Sequence, residues 1–485
     1  MSKNIVQLEP KTVWKNFSNL NAVPRPSKKE ERVIQFMMDF GKDLGLETFS
    51  DEIGNVIIRK PASVGMENRK MVTLQSHLDM VHQKNEATDF DFDTEGIKMR
   101  IDGDWVKANG TTLGADNGMG VAAIMALLES TNIVHPPLEA LFTIDEETGM
   151  TGAFGLKGGI LKGEILLNLD TEEDDEIDIG CAGGIDVTAR RKYNQKDGVH
   201  GDVGFEIKVS GLTGGHSGMD IDKGLGNANK IMARLLYPGL AYNMRIGSLE
   251  GGSLRNAIPR ESTCHLNIGK RHEADFLKEI HRLADTVKAE LKTQEPHLNI
   301  QVEQVKTAKK VMGLGSQENL IKALYAAHNG VYTMSAKIPD LVETSNNIAR
   351  VQVKDGEILI GCLTRSSVES AKMDLANSLK SAFELGGFEV DFKGDYPGWN
   401  PNPNSEILKV VVKKYKELFK EEPKVVACHA GLECGILGQN YPGMDMVSFG
   451  PTIKGAHSPD ERVSIPSVQK FWKFLLHILE ATPKK

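Results

Sequence analysis

The chain has 485 residues, 40% hydrophobic and 26% charged, with a net charge of −8, a globular composition long enough for two or three domains. No basic stripe offsets the acidic balance and no apolar run approaches the roughly 18–20 residues of a membrane span, which excludes nucleic acid and membrane as partners. The opening MSKNIVQLEPKTVWKNF lacks the order of a secretory signal, and Cys181, Cys264, Cys362, Cys428 and Cys434, without CxxC spacing, read as reduced thiols of a cytoplasmic protein.

In chain order, Ser27 and Glu30 stand at capping-box spacing. Val33, Ile34, Met37, Met38 and Phe40 follow at helical spacing. Strand-like runs come next at 55–60 (NVIIRK), 71–77 (MVTLQSH), 138–145 (LEALFTID) and 164–170 (EILLNLD). Between the second and third, Val121, Ile124, Met125 and Leu128 mark one face of a helix that begins just after Asp116. Near-continuous apolar strands alternating with helices predict an α/β unit, its sheet covered by helices on both faces. In such sheets ligands bind beyond the carboxyl ends of the strands.

From about residue 200 to 395 the texture changes. The runs 254–269 (LRNAIPRESTCHLNIG) and 345–367 (SNNIARVQVKDGEILIGCLTRSS) are loosely similar. Each sets Asn before a strand and a basic residue near its end, which predicts an α+β insertion of two similar halves. After the Pro/Asn-rich YPGWNPNPN, helix and strand alternate again. The helix SEILKVVVKKYKELF leads to the apolar 444–450, then to the loop carrying His457 and a last helix, PSVQKFWKFLLHILE. The expectation is one discontinuous domain, 1–186 and 397–485, with 187–396 inserted.

Five apolar runs end in a side chain that can bind metal: His77 in SHLDM, Asp116 in GADNG, Glu146–Glu147 in DEETG, Asp170 in LNLD and His457 in GAHSPDE. Each has a plain structural alternative. His77 and His457 can be loop histidines, Asp116 a helix cap and the glutamates an acidic turn. Together they form a set that can hold two metal ions through a shared carboxylate. One of Glu146 and Glu147 is then left over as a base beside an activated water. Asp79, two residues past His77, shares its face on a strand and can accept its ring N–H. Carboxylates mixed with imidazoles suit Zn, Mn or Co.

These motifs, with GGHSG and RNAIPRE in the insertion, resemble the co-catalytic dinuclear zinc peptidases related to carnosinases and succinyl-diaminopimelate desuccinylase. The likeness extends over essentially the whole chain. GTTLGADNG, GCAGGID, HAGLECG and MDMVSFGPTIKGAHSPDE resemble the branch that cleaves Xaa-His dipeptides. The resemblance implies two zinc ions, with Co or Mn as substitutes: His77 and Asp170 on one, Glu147 and His457 on the other, Asp116 bridging. It makes Asp79 the residue that orients His77. Glu146 becomes the general base that takes a proton from the water and returns it to the leaving amine. It implies a cis peptide at Asp116–Asn117, where some relatives have Asp-Asp. In the insertion, read as a lid and dimerisation domain, His216 stabilises the oxyanion in cis or from a neighbouring subunit. Asn256 touches substrate, and Arg365 binds its terminal carboxylate. The expected activity is hydrolysis of small dipeptides, β-alanyl-histidine among them, by a cytoplasmic homodimer. Two rivals stand beside it. An N-acyl-amino-acid deacylase would cleave N-acetyl or N-succinyl amino acids instead, and a non-catalytic peptide- or metal-binding protein would bind without releasing product. The presence of all five ligands and of Glu146 argues against the second.

Overall fold

The computed structural model describes residues 4–485, which fall into two compact units. One comprises residues up to 180 with Pro401–Ala427 and Leu432–Lys485; the other comprises Cys181–Asn400 with the short return Cys428–Gly431. No helix among the described residues is long and apolar enough to cross a membrane.

The first unit is organised by an eight-stranded mixed sheet. Four mutually parallel strands form its middle, in the spatial order Leu138–Thr143, Val72–His77, Ile165–Asn168, Asp445–Ser448. Their residues are buried almost throughout, as expected where helices cover both faces. Polar side chains that face into this interior are paired across the strands, which is what makes their burial tolerable. Gln75 donates to Thr143 Oγ1 (3.1 Å) and to Glu433 (2.6 Å), and Asn168 donates to Gln75. Ser448, Thr171 and Asp178 continue the chain.

The helix Ala115–Glu129 is apolar all round and almost wholly buried, as such a composition requires. It packs with Trp14, Phe17 and Val468 in one core cluster. Ser405 caps Glu406–Phe419 by accepting from Leu408 N at 3.0 Å. The capping box expected from Ser27 and Glu30 does not form: the helix Glu31–Asp43 starts without a side-chain cap. Ser27 Oγ instead donates to Asp79 (2.8 Å), and Glu30 accepts from Lys28 N and from Asp145 N. Both side chains satisfy buried groups beneath the strand ends, where an unmet polar atom costs more than a missing surface cap.

In the second unit most of the strands form one antiparallel sheet. Two strand–helix–strand–strand–helix–strand halves compose it. The first is Asp202–Ser210, Ala228–Leu236, Arg245–Gly251, Ser262–Gly269, Glu273–Glu290, Asn299–Val305; the second is Gly183–Lys192, Leu314–Ala326, Val342–Lys354, Glu357–Ser366, Glu369–Leu385, Glu389–Tyr396. Both have the same internal strand order and meet through Arg245–Gly251 and Val342–Lys354. The opening strand of the second half precedes the whole of the first, so one half is threaded into the other. Residues of all four helices and of both halves' strands share a single core cluster. Asn346 and Asn347 lie within a strand rather than before one. Asn347 spans the join, donating to Arg255 O (3.1 Å) and Ala257 O (2.8 Å).

Candidate metal centre

Because the four middle strands are parallel, their carboxyl ends lie along one edge of the sheet. His77 is the last residue of its strand, and Asp170 lies two residues past Asn168. Glu146 and Glu147 open the short helix Glu146–Gly149 beyond Thr143. His457 stands in the loop between Ile453–Lys454 and Arg462–Ser464, at φ 63, a left-handed conformation that a non-glycine residue adopts only under local constraint. Asp116 occupies a kink at the start of Ala115–Glu129, and the Asp116–Asn117 peptide is cis.

The side chains converge. Asp116 turns its two oxygens in different directions: Oδ1 lies 3.1 Å from His77 Nε2, and Oδ2 lies 3.1 Å from His457 Nε2. Asp170 Oδ1 is 3.5 Å from His77 Nε2, and Glu147 Oε2 is 3.0 Å from His457 Nε2. Ligand-type atoms of His77, Asp116 and Asp170 lie within 4.8 Å of one another, as do those of Asp116, Glu147 and His457. The two groups therefore share Asp116. Glu146 is grouped with His77 and Glu147 within the same limit but belongs to neither set. Asp79 lies past the strand end rather than on it. His77 Nδ1 faces both the main-chain oxygen of Asp79 (3.2 Å) and its carboxylate (3.3 Å), so the ring is oriented with Nε2 toward Asp116. The Asp79 carboxylate also accepts from the amides of Glu146 (3.0 Å) and Glu147 (3.3 Å).

The electrostatics describe a site short of positive charge. Burial alone would lower His77, yet Asp170, Asp116 and Asp79 hold it well above the ordinary imidazole range. Hydrogen bonds to Asp116 and Glu147 push His457 up to about 11. Burial would raise Asp116, but hydrogen bonds from His457 and His77 keep it well below the usual carboxylate range. Burial, reinforced by Asp170, Glu433 and Glu147, pushes Glu146 well upward. Glu147 Oε1 is buried without a hydrogen-bond partner among the described residues. Mixed imidazole and carboxylate donors, crowded acids and an orphaned carboxylate oxygen together fit a pair of cations.

Two buried charged residues that the motifs leave unassigned brace this set. Arg25 donates to Leu78 O and Asp79 O (both 3.0 Å), to Asn21 Oδ1 (3.1 Å) and to Gly114 O (2.6 Å). Glu461 accepts from the amides of Leu113, Gly114, Ala115 and Asp116. The signal for Glu461 is its place four residues after His457 in a short Gly/Pro loop; nothing in the sequence around Arg25 marks it. Asn117 donates to Leu169 O and Asp170 Oδ1. A further trio of buried acids, Glu30, Asp79 and Asp145, is occupied by backbone amides and hydroxyls.

The remaining predicted residues belong to the second unit. His216 pairs with Ala257 in a two-stranded ribbon, and Ser217 N donates to Asn256 O at 2.7 Å, so His216 and Asn256 are neighbours. His216 Nδ1 accepts from Gly218 N and Met219 N, which leaves Nε2 as the ring's donor. Burial, then the Arg365 charge, lower its pKa. Arg365 is only 5% exposed, donates to Tyr396 Oη at 2.7 Å, and has a buried Nε without a partner among the described residues. His429, bonded to Ser345 Oγ at 2.8 Å, is pushed down to about 3 by burial and by the charges of Arg365 and His216.

Residues 73–481 match peptidase family M20/M25/M40. The chain is 44% identical over 481 residues to the cytosol non-specific dipeptidase of Escherichia coli K12, covering 99% of each. It superposes on the aminoacylhistidine dipeptidase of Vibrio alginolyticus with a TM-score of 0.94 at 43% identity, over 100% of this chain and 99% of that one. With the aminopeptidase PepT of Bacillus cereus it shares the fold, at a TM-score of 0.56 and 17% identity over 98% and 99% of the two chains.

Proposed function

We propose that this chain, which belongs to peptidase family M20/M25/M40, is a cytoplasmic, metal-dependent dipeptidase that cleaves Xaa-His dipeptides, β-alanyl-histidine (carnosine) among them, and works as a homodimer. The observation that carries the reading is the divided carboxylate of Asp116, one oxygen toward His77 and Asp170, the other toward His457 and Glu147. That arrangement suits two ions, zinc first and Co or Mn as substitutes. His77 and Asp170 would hold one, Glu147 and His457 the other, and Asp116 both. Bound ions supply Lewis-acid polarisation and a nucleophile at neutral pH.

The protein's own groups do the rest. Asp79 holds the His77 ring and the amides of both glutamates, so the ligand and the base are oriented by one carboxylate. Glu146 takes the proton from the attacking water and delivers it to the leaving amine. Burial among Asp170, Glu433 and Glu147 favours its protonated form, the state that hands the proton on. His216, with Nε2 as donor, would steady the oxyanion. Arg365, its guanidinium steadied by Tyr396, would take the substrate's terminal carboxylate beside Asn256. The names of the relatives from Escherichia coli and Vibrio support the dipeptide reading. Replacing the base tests it: Glu146→Ala should lose about 10²–10⁴-fold in kcat on Xaa-His dipeptides, with zinc content near that of the unaltered enzyme. Near-normal turnover in that variant would sink the mechanism. Dipeptides assayed beside N-acetyl and N-succinyl amino acids test the substrate class.

A further inference from the structure

We infer that Glu461 and Arg25 are a pair of positioning residues that hold the Asp116 turn against both histidine-bearing segments before any metal arrives, an inference that rests on the metal-centre reading above.

The cap of the Asp116 turn is unusual. The turn at 113–116 opens the helix Ala115–Glu129, and the first amides of a helix have no partner within it. A local Ser, Asp or Asn ordinarily satisfies one of them, but here the N-cap position is Gly114, which has no side chain. The cap comes from a distant part of the chain. Glu461 Oε2 accepts from Leu113 N (2.7 Å) and Gly114 N (3.0 Å), and Oε1 from Ala115 N (2.7 Å) and Asp116 N (3.3 Å). A carboxylate has about four acceptor sites, so four consecutive backbone amides occupy one side chain. Glu461 is 2% exposed. Burying an acid is costly without such donors, so this placement is hard to explain unless the turn itself needs it.

The other side of the same turn is held by the opposite charge. The oxygen of Gly114 accepts from Arg25 Nη2 at 2.6 Å, and the same guanidinium binds Leu78 O and Asp79 O. Gly114 has φ +68, and a Cβ there would lie 2.5 Å from Arg25 Nη2. The residue type therefore permits both the turn and the approach of the arginine. Arg25 thus ties the Asp116 turn to the segment of His77, and Glu461 ties it to the loop of His457. These are the two directions in which the oxygens of Asp116 point. A bridging carboxylate works only if its two imidazole neighbours keep a fixed spacing, and these ties set that spacing from opposite sides.

The test uses the full-length protein stripped of metal and titrated with Zn²⁺ against a chelating dye. The unaltered protein should take two tight equivalents. Glu461→Gln keeps the size but turns an N–H₂ toward backbone donors. It should keep one tight equivalent and bind the other about 10–100-fold more weakly, and Glu461→Asp, which retains the charge, should recover part of the loss. Two unchanged equivalents in a folded Glu461→Gln protein would overturn the inference. Hydrogen exchange on the unaltered protein decides the matter if that variant does not fold. The amides of 113–116 should already be protected without metal. Exchange at open-loop rates until Zn²⁺ is added would mean that the metal, not Glu461, builds the turn. If the unaltered protein binds no Zn²⁺ tightly, the metal-centre reading fails first and takes the inference with it.

Discussion

At the scale of single residues, the centre depends on groups that leave no room for substitution. Gly114 is the sharpest case, because its φ of +68 and the guanidinium 2.5 Å from its ideal Cβ both oppose a side chain. Gly114→Ala should destabilise the protein by about 1–3 kcal/mol through backbone strain, and should lower zinc affinity as well by pushing Arg25 off the Gly114 carbonyl. Denaturant unfolding and a Zn²⁺ titration measure the two effects separately. A variant as stable as its parent would show that the turn has slack. Much of this residue-scale chemistry was legible in the sequence. His77, Asp116, Glu146, Glu147, Asp170 and His457 stand out because each follows an apolar run, and a strand's end is where a sheet presents ligands. Arg25 and Glu461 were not legible as braces. Apart from Asn21 Oδ1, their partners are backbone atoms, which have no residue identity, and the span from Glu461 to Leu113 is 348 residues.

At the scale of elements, the buried row across the parallel strands ends on Asp178, which is 6% exposed and takes one hydroxyl from Thr171. Burial, with Glu176 and Asp170 nearby, pushes this carboxyl up to about 7. A folded-state value above the unfolded one means that the native protein binds the proton more tightly. The contribution of Asp178 to stability is therefore complete below the unfolded value near 4 and is lost as pH rises through 7. Asp178→Asn mimics the protonated acid, so its advantage should grow with pH, by about 2 kcal/mol between pH 5 and pH 8. Urea unfolding at the two values measures it, and a variant equally or less stable at pH 8 contradicts the account. The strands of this row were legible as apolar runs at 71–77, 138–145, 164–170 and 444–450. The fate of Ser27 and Glu30 was not, because capping spacing is a local pattern, whereas the distant Asp79 carboxylate takes the Ser27 hydroxyl proton and the Asp145 amide donates to Glu30. The likeness of 254–269 to 345–367 was visible in the insertion. Its threading was not, since the strand Gly183–Lys192 belongs to the second half but comes first in the chain.

At the scale of the molecule, every proposed ligand belongs to the first unit, while the second has its own sheet and a continuous apolar core. Metal binding should then stabilise the two units unequally. Ligand bound only to the folded state adds RT ln(1 + [L]/Kd), about 2.7 kcal/mol at a hundredfold excess over Kd. Without cations, the first unit must also keep Asp116, Glu146, Glu147 and Asp170 crowded together, with His77, His457 and the buried Arg25 as the cationic groups beside them. Chelation should therefore abolish activity and raise hydrogen exchange in Val72–His77, Ile165–Asn168 and the His457 loop. The strands Asp202–Ser210 and Ser262–Gly269 should exchange as before, and Zn²⁺, Co²⁺ or Mn²⁺ should restore both activity and protection. Activity that survives a strong chelator would remove the metal from the mechanism. Equal loss of protection in both units would mean that they unfold together despite separate cores, and the stabilisation would then be a property of the whole chain rather than of the sheet edge where the proposed ligands meet.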